Sequence, residues 1–550
     1  MKKAVYGLII LVLLLTTIAA ACSTSPASPT TTVPATSAPA KTTTPATTTP
    51  AKTTAPATTS PTTTASQPQP VSGGILKLNH NGGINNVSAP ADGRSFTLGR
   101  VWMCVFETLL KSDVQGNLKP GLAESWVLSP DGRAITLKLR QGIKFHDGTD
   151  FNAEAVKFNL ELHKKNNTTV SSYLANVTGY AITNPYEITI LLKNYDATLM
   201  LALAQTSLGA MASPTAVQKP ATADNIVQLH MVGTGPFKFV SWQRDNYIKF
   251  EKNTSYWQPG KPYLDGVEIR NVVDVTVSLM SLKAKETNAV ITVDPVDCLN
   301  LQKEGFEVIL GKANMIHSVC TDGANPNSPF ANKKVREAVE YAIDRQGLSD
   351  GIGYGFFAPA YQYATPILPF YDSSLTPRKY DPKKAKQLLA EAGYPNGVKI
   401  TLATDVRVRA DTLVAIQTYL KEAGFDCTID KADTTRASQM TINGWNGLLM
   451  PGFPTATTLG SLTARFNANY PSMYRPAGWA DKWNAVISQM DEQKRAAQIK
   501  ELIKIMYDDV IVTPYHSDTS RVVQDGKIHN FDWHGIGVEY WDTVNTWMSK

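Results

Sequence analysis

At 550 residues the chain is too long for one core and long enough for two or three lobes. Apolar residues make up 43% and charged residues 18%, the balance of a soluble globular protein. The formal charge is +6, but Lys2, Lys3, Lys41 and Lys52 lie ahead of the globular part and before the first acidic residue, Asp92. The remainder carries only about +2, which excludes the concentrated basic face that nucleic acid demands.

In chain order, Met1-Lys2-Lys3 gives a charged start, Val5 to Leu15 an almost unbroken apolar run, and Ala19-Ala20-Ala21 a small-residue end. This pattern predicts a signal peptide over 1–21. An uncleaved membrane helix is the alternative, at the short limit of the roughly 17–25 residues that span a bilayer. Ile18 to Cys22 resembles a bacterial lipobox, which implies lipidation of Cys22; Ala19 stands where Leu is commonest. Residues 22–72 are Thr, Pro, Ala and Ser with little to bury, and read as a disordered tether. As a flexible coil it reaches on the order of 40 Å.

The globular part opens at Gly73 with a strand at Ile75–Leu78. Phe96, Leu98, Val101, Trp102, Val105, Phe106, Leu109 and Leu110 recur at helical spacing. Asp131-Gly132 separates two strands, the second alternating Ile135, Leu137 and Leu139, and so predicts a hairpin. A helix capped by Asn152 follows, then an alternating strand from Tyr186 to Lys193. In the second half, Asp381 caps a helix that Pro382 starts and Gly393 ends. A strand from Val398, a helix over about 412–422 and a strand from Phe425 imply a parallel α/β layer. A long helix spans about 492–507.

Val105-Phe-Glu-Thr-Leu109, Gly116 to Trp126, Leu139 to Thr149, Gly233-Thr-Gly-Pro-Phe237, Asn253 to Trp257, Val335-Arg-Glu-Ala338, Ala342-Ile-Asp-Arg345 and Tyr380 to Gly393 resemble, in order, the family 5 extracellular solute-binding proteins of ABC importers. The resemblance implies an α/β, two-lobed periplasmic-binding-protein-like clamp with an extra subdomain inserted in lobe I. Mapped here, lobe I takes 73–111, 186–271 and 514–550, the insertion 112–185, and lobe II 272–513. The chain would leave lobe I near Arg270 and return near Thr513, and ligand between the lobes would favour closure. The motifs themselves read as turns, cores and helix starts, hence as scaffold. The partners implied are a small-molecule or peptide-like ligand and an ABC permease; the alternative functions are a tethered surface hydrolase using Ser349 and a sensory receptor. A lipid anchor on the outer face of the cytoplasmic membrane and a monomeric state complete the expectation.

In peptide binders of this family an Asp follows a Trp of lobe II and neutralises the peptide's α-amino group. Matching that segment to Trp445-Asn446-Gly447-Leu448-Leu449 puts Leu448 or Leu449 where the Asp is expected. An ammonium buried there would be unpaired, which favours a neutral polar ligand such as an oligosaccharide on Trp445 and Asn446. Packing in a core is the alternative role for Trp445. Asn79, Trp102, Tyr361 and Phe453 are further candidates for ligand contact by position. No catalytic residue, cofactor or metal is expected. Gly347-Leu-Ser349-Asp-Gly351 has a hydrolase pattern but follows a helix, the wrong context for a nucleophile elbow. Gly351 to Gly355 lacks the strand and helix of a dinucleotide loop, and His529 with His534 reads as surface loop. Cys104, Cys298, Cys320 and Cys427 read as buried small hydrophobes; a Cys298–Cys320 bond stays open, being a matter of geometry.

Overall fold

The computed structural model describes residues 69–80, 84, 87–92, 99–222, 225–291, 293–311, 315–452, 454–456, 458–532, 534–536 and 538–550. The expected signal peptide, Cys22, the tether up to residue 68, and Phe453 lie outside the described residues.

Two seven-stranded sheets organise the chain. The first runs Glu307–Leu310, Arg521–Gln524, Ala289–Ile291, Ile75–His80, Gly266–Asn271, Tyr247–Lys252 and Phe237–Gln243 in spatial order. Ile75–His80 is parallel to both its neighbours, and Leu76 and Leu78 meet Val267, Ile269, Ala289 and Ile291 in one core. The second sheet runs Ala358–Pro359, Val512–Asp518, Met315–Thr321, Leu448–Met450, Val398–Asp405 and Phe425–Ala432, with Thr455–Ala456 paired to the start of Met315–Thr321. Here the expected parallel layer is present: Val398–Asp405 lies parallel to Phe425–Ala432, joined by the helix Ala410–Glu422. The fold is thus two α/β lobes, one on each sheet.

A four-stranded sheet packs beside the first. It orders Ala123–Leu128, Ala134–Leu139, Glu187–Leu192 and Val177–Asn184, with the helix Ala153–Lys165 against it. Ile135, Leu137 and Leu139 are buried, as their alternation predicts. Helix starts also follow local chemistry. Asn152 Oδ1 accepts Ala155 N–H at 3.0 Å and Asp381 Oδ1 accepts Lys384 N–H at 2.9 Å. Gly393, at φ +96°, ends the helix that Pro382 begins.

Three expectations need correction. The boundary placed at 271 does not coincide with the sheets, because Ala289–Ile291 and Glu307–Leu310 still belong to the first. The chain passes to the second sheet between Leu310 and Met315 and returns between Asp518 and Arg521. The end of the inserted unit at 185 would split the hairpin of Val177–Asn184 and Glu187–Leu192, whose shared core continues to Met211. The apolar spacing from Val101 to Leu110 is not one helix; only Gly99–Trp102 is helical. Its backbone beyond Trp102 is taken by the Gly233–Phe237 segment instead. Gly235 N–H donates to Val105 O at 2.8 Å and Phe237 N–H to Cys104 O at 2.9 Å. A Cβ at Gly233 would collide with Val105 O, so the approach requires glycine.

The family motifs meet as scaffold. Glu107 accepts Tyr256 O–H at 2.7 Å on one oxygen, and Trp257 Nε1–H at 2.9 Å and Thr234 O–H at 3.0 Å on the other. Three distant stretches of sequence are tied at one buried carboxyl group. Arg336 donates to the carbonyls of Phe330, Ala331, Asp509 and Val510. Arg345 donates to those of Ala360, Pro514 and Glu340, and pairs with the buried Glu340 carboxylate at 2.6 Å. Each guanidinium is a backbone clamp. Cys104, Cys298, Cys320 and Cys427 are free thiols, which closes the disulfide question. No helix among the described residues is long and apolar enough to cross a membrane.

Candidate functional site

In open α/β sheets the crevice beyond the carboxyl ends of parallel strands is where ligands bind, because loops from several strands converge there. In the first lobe those ends are Asn79 and His80, Asn271 and Ile291; in the second, Asp405, Met450 and Ala432. Both crossings of the chain also lie at this junction, so the groove between the lobes is the candidate site.

Its polar groups come from short loops after strands. Asp405 ends Val398–Asp405 and is buried; Arg407, whose side chain is partly exposed, donates to it through Nε at 2.8 Å and Nη2 at 2.5 Å. A Cβ at Gly452 would strike the Asp405 carboxylate, so the loop after Leu448–Met450 passes directly over it. Arg409, two residues on, reaches across to the first lobe: Nη1 meets Asp294 Oδ1 at 2.7 Å while Nη2 meets Asp411 at 2.7 Å.

The crossing strands carry an aromatic cluster. His317 and His516 are register partners with ring centroids 4.5 Å apart, and Phe357 stacks on His516 at 4.3 Å. Burial pushes His317 down to about 4, against the opposing pull of Asp518, and holds His516 well below the usual imidazole range. Arg521 lies over Phe357, donates to Val293 O at 2.9 Å and pairs with Asp518. A cavity of about 530 Å³ opens beside them, lined by Gln115, Gly311, Phe357, Ile367, Ser517 and Asp518 among others. The lobes also touch through the inserted unit: Ala197, Tyr195 and Leu201 join the core of Leu459, Phe466 and Trp483.

Of the residues nominated from sequence, Asn79 lies near the carboxyl end of Ile75–His80, inside the first lobe. It is 1% exposed, donates to Ser281 Oγ at 2.6 Å, and its Oδ1 has no partner among the described residues. Trp102 is buried in the first lobe and lines a separate cavity of about 300 Å³ with Phe106, Glu107 and Trp541. Tyr361 is half-buried beneath Arg345, 5.1 Å from its guanidinium. Trp445 and Asn446 precede Leu448–Met450 and so sit at the amino end of that strand, one strand length (about 10 Å) from the groove end. Trp445 is 7% exposed and packs edge-on to Tyr470 at 5.8 Å, while Asn446 is exposed in a turn. Leu448 and Leu449 are paired inside the sheet with Thr321 and Cys320. Both are buried, so the match that put the Asp there sets it inside the sheet. His529 stacks on Trp547 at 4.1 Å.

Sequence reasoning missed Asp294, Asp405, Arg407, Arg409, His317, His516 and Phe357. The signal for Asp405 to Arg409 was present: they directly follow a strand of the parallel layer. The cross-strand histidines gave none.

A family model described as bacterial extracellular solute-binding proteins, family 5 (middle region), matches residues 117–469. The chain belongs to this family. It is 36% identical over 299 residues to the glutathione-binding protein GsiB of Shigella flexneri, covering 54% of this chain and 57% of that one. GsiB of Escherichia coli K12 matches at 35% over the same length. The match thus spans little more than half of these curated relatives. Among solved structures, the periplasmic binding protein DppA of Helicobacter pylori in complex with the peptide STSA aligns with TM-score 0.70 at 23% identity, over 87% of this chain and 99% of that one. NikA of Brucella suis with Fe(III)-EDTA gives 0.72 at 21%, over 85% and 97%. The substrate-binding protein CtaP of Listeria monocytogenes gives 0.75 at 20%, over 87% and 100%. These likenesses establish the two-lobed periplasmic-binding-protein fold.

Proposed function

We propose that this chain is the extracytoplasmic capture component of an ABC importer, which takes a small polar solute between its lobes, closes on it and delivers it to a membrane permease. The observation that carries this is the groove itself: in a member of this family, the carboxyl ends of two parallel layers face each other, joined by only two crossings of the chain. Two crossings make a hinge, and a ligand that contacts both lobes favours the closed state by its differential affinity. The first lobe would take Gly73–Leu310 and Arg521–Lys550, with the inserted unit inside it, and the second Met315–Asp518. Anchoring through Cys22 to the outer face of the cytoplasmic membrane, and a monomeric state, belong to the same proposal and rest on the pattern of residues 1–22 and on the family.

The ligand class we infer is peptide-like or another polar, carboxylate-bearing solute. Glutathione, the peptide STSA and Fe(III)-EDTA, named with the relatives and neighbours, all carry carboxylates, and the partly exposed side chain of Arg407 follows a strand of the parallel layer. An oligosaccharide remains the competing ligand. Against the hydrolase alternative, Ser349 is 2% exposed inside the helix Arg345–Gly351, and its Oγ has no hydrogen-bond partner among the described residues.

Thermal unfolding of the full chain with glutathione, short peptides, oligosaccharides and metal chelates tests the reading. A ligand at about 100 times its Kd adds roughly 2.7 kcal/mol of stability. A rise with glutathione or a peptide supports it, and a rise with sugars alone overturns the ligand class. Turnover of a probe overturns the binding role.

A further inference from the structure

Arg409 stands between carboxylates from three elements. Asp294 and Asp297 come from the start of the helix Pro295–Lys303 in the first lobe, Asp411 from Arg409's own helix, and Asp518 from the crossing strand, where Arg521 already pairs with it. Asp294 and Asp411 touch the guanidinium directly, and Asp518 adds to the field that keeps it protonated. The Asp297 carboxyl is raised above its usual range, by burial first and by Asp294 second, with Arg409 opposing. His516 also feels the positive charge of Arg409.

The placement is asymmetric. Arg409 and Asp411 move together, since both belong to the second lobe; Asp294 and Asp297 belong to the first. Closing the groove brings two negative charges toward a third, and Arg409 is the cation at the meeting point. The pair is exposed, Arg409 at 34% and Asp294 at 59%, so it can form and break without burying an unpaired ion. We propose that Arg409 is a positioning residue for closure: it allows the acidic rim of the first lobe to approach the second, and thereby sets how much of the protein is closed and how long a captured solute stays.

This rests on the clamp reading above. A removed Asp294 merely forfeits one attraction, whereas a removed Arg409 leaves Asp294, Asp297 and Asp411 facing one another. The two deletions therefore differ, and the larger loss belongs to Arg409.

The test is the distance between fluorophores carried by unnatural amino acids at the exposed Lys303 and Lys421, one on each lobe of the full chain, with glutathione as the probe ligand. Wild type loses short-distance population between about 0.01 M and about 1 M salt, as the Debye length falls from about 30 Å to about 3 Å. Arg409→Gln lowers the closed-to-open ratio about two- to five-fold at low salt and reverses the salt dependence, because salt then screens the repulsion among the remaining carboxylates. Asp294→Asn has a smaller effect, Arg409→Lys restores part of the closed population, and melting temperatures stay within a few degrees throughout. An Arg409→Gln variant that closes like wild type, while salt or glutathione still moves the distance, overturns the proposal and leaves the clamp standing. A distance that neither salt, glutathione nor any variant moves overturns both.

Discussion

Two polar nodes of this molecule are built in opposite ways. At Glu107 a buried carboxyl group is surrounded by neutral donors from Tyr256, Trp257 and Thr234, and every one of them is spent on it. At Arg409 a partly exposed cation is shared among carboxylates of separate lobes. The first joins stretches within one lobe; the second joins the two lobes, which on the proposed clamp mechanism come apart. Burial makes the difference. A polar group without water is costly to leave unpartnered, so a buried node resists opening, while an exposed node exchanges its partners for water at little loss.

The comparison is broken most easily at the buried nodes. Arg345→Met should destabilise the chain by about 3–5 kcal/mol, because it leaves Glu340 buried and unpaired and frees three carbonyls. Urea unfolding checks this, and a loss under about 1 kcal/mol would show that water reaches the site. Glu107→Ala should destabilise by about 2–4 kcal/mol, leaving the Tyr256, Trp257 and Thr234 donors without an acceptor. Raised salt should not change either figure by much.

Acid should separate the nodes next. His317 is held at about 4, as is His163, whose ring bonds to Thr168 and Ser207. Both lie below the ordinary imidazole value, so the unfolded chain takes up these protons first as pH falls. Their contribution is complete above about pH 6.5 and is lost as pH drops from there toward about 4. Each such histidine removes about 1.5 kcal/mol between pH 6.5 and pH 5. His163→Gln should flatten the fall in unfolding midpoint by one histidine's share, and an unchanged slope would mean that His163 titrates normally in the fold.

The same division explains what could be foreseen. Local rules sufficed where neighbours in sequence are neighbours in space: the Asn152 and Asp381 caps, the alternating strand at Ile135–Leu139 and the parallel unit from Val398 all follow them. They failed at Val101 to Leu110, where helical spacing lost to a backbone approach by Gly233 and Gly235 more than a hundred residues away. They failed again at the lobe boundary, since nothing in Ala289–Ile291 or Glu307–Leu310 tells which sheet they join. For the site, a tryptophan is a conspicuous residue but Trp445 packs in a core, whereas Arg409 gained its meaning only from Asp294 on the other lobe.

The smallest effect is the most discriminating. Arg409→Gln should change the global stability of the chain by no more than about 1 kcal/mol, and by less at high salt. The reason is that Arg409 stays hydrated, so its removal strands no buried donor and opens no cavity. Its field reaches mainly across the groove, and unfolding does not report on whether the groove is open. A urea midpoint close to wild type, beside the loss from Arg345→Met, would show two arginines of one lobe performing different physical tasks. A large loss for Arg409→Gln would instead make it another structural clamp, and the contrast between fixed and reversible nodes would fail at its weaker end.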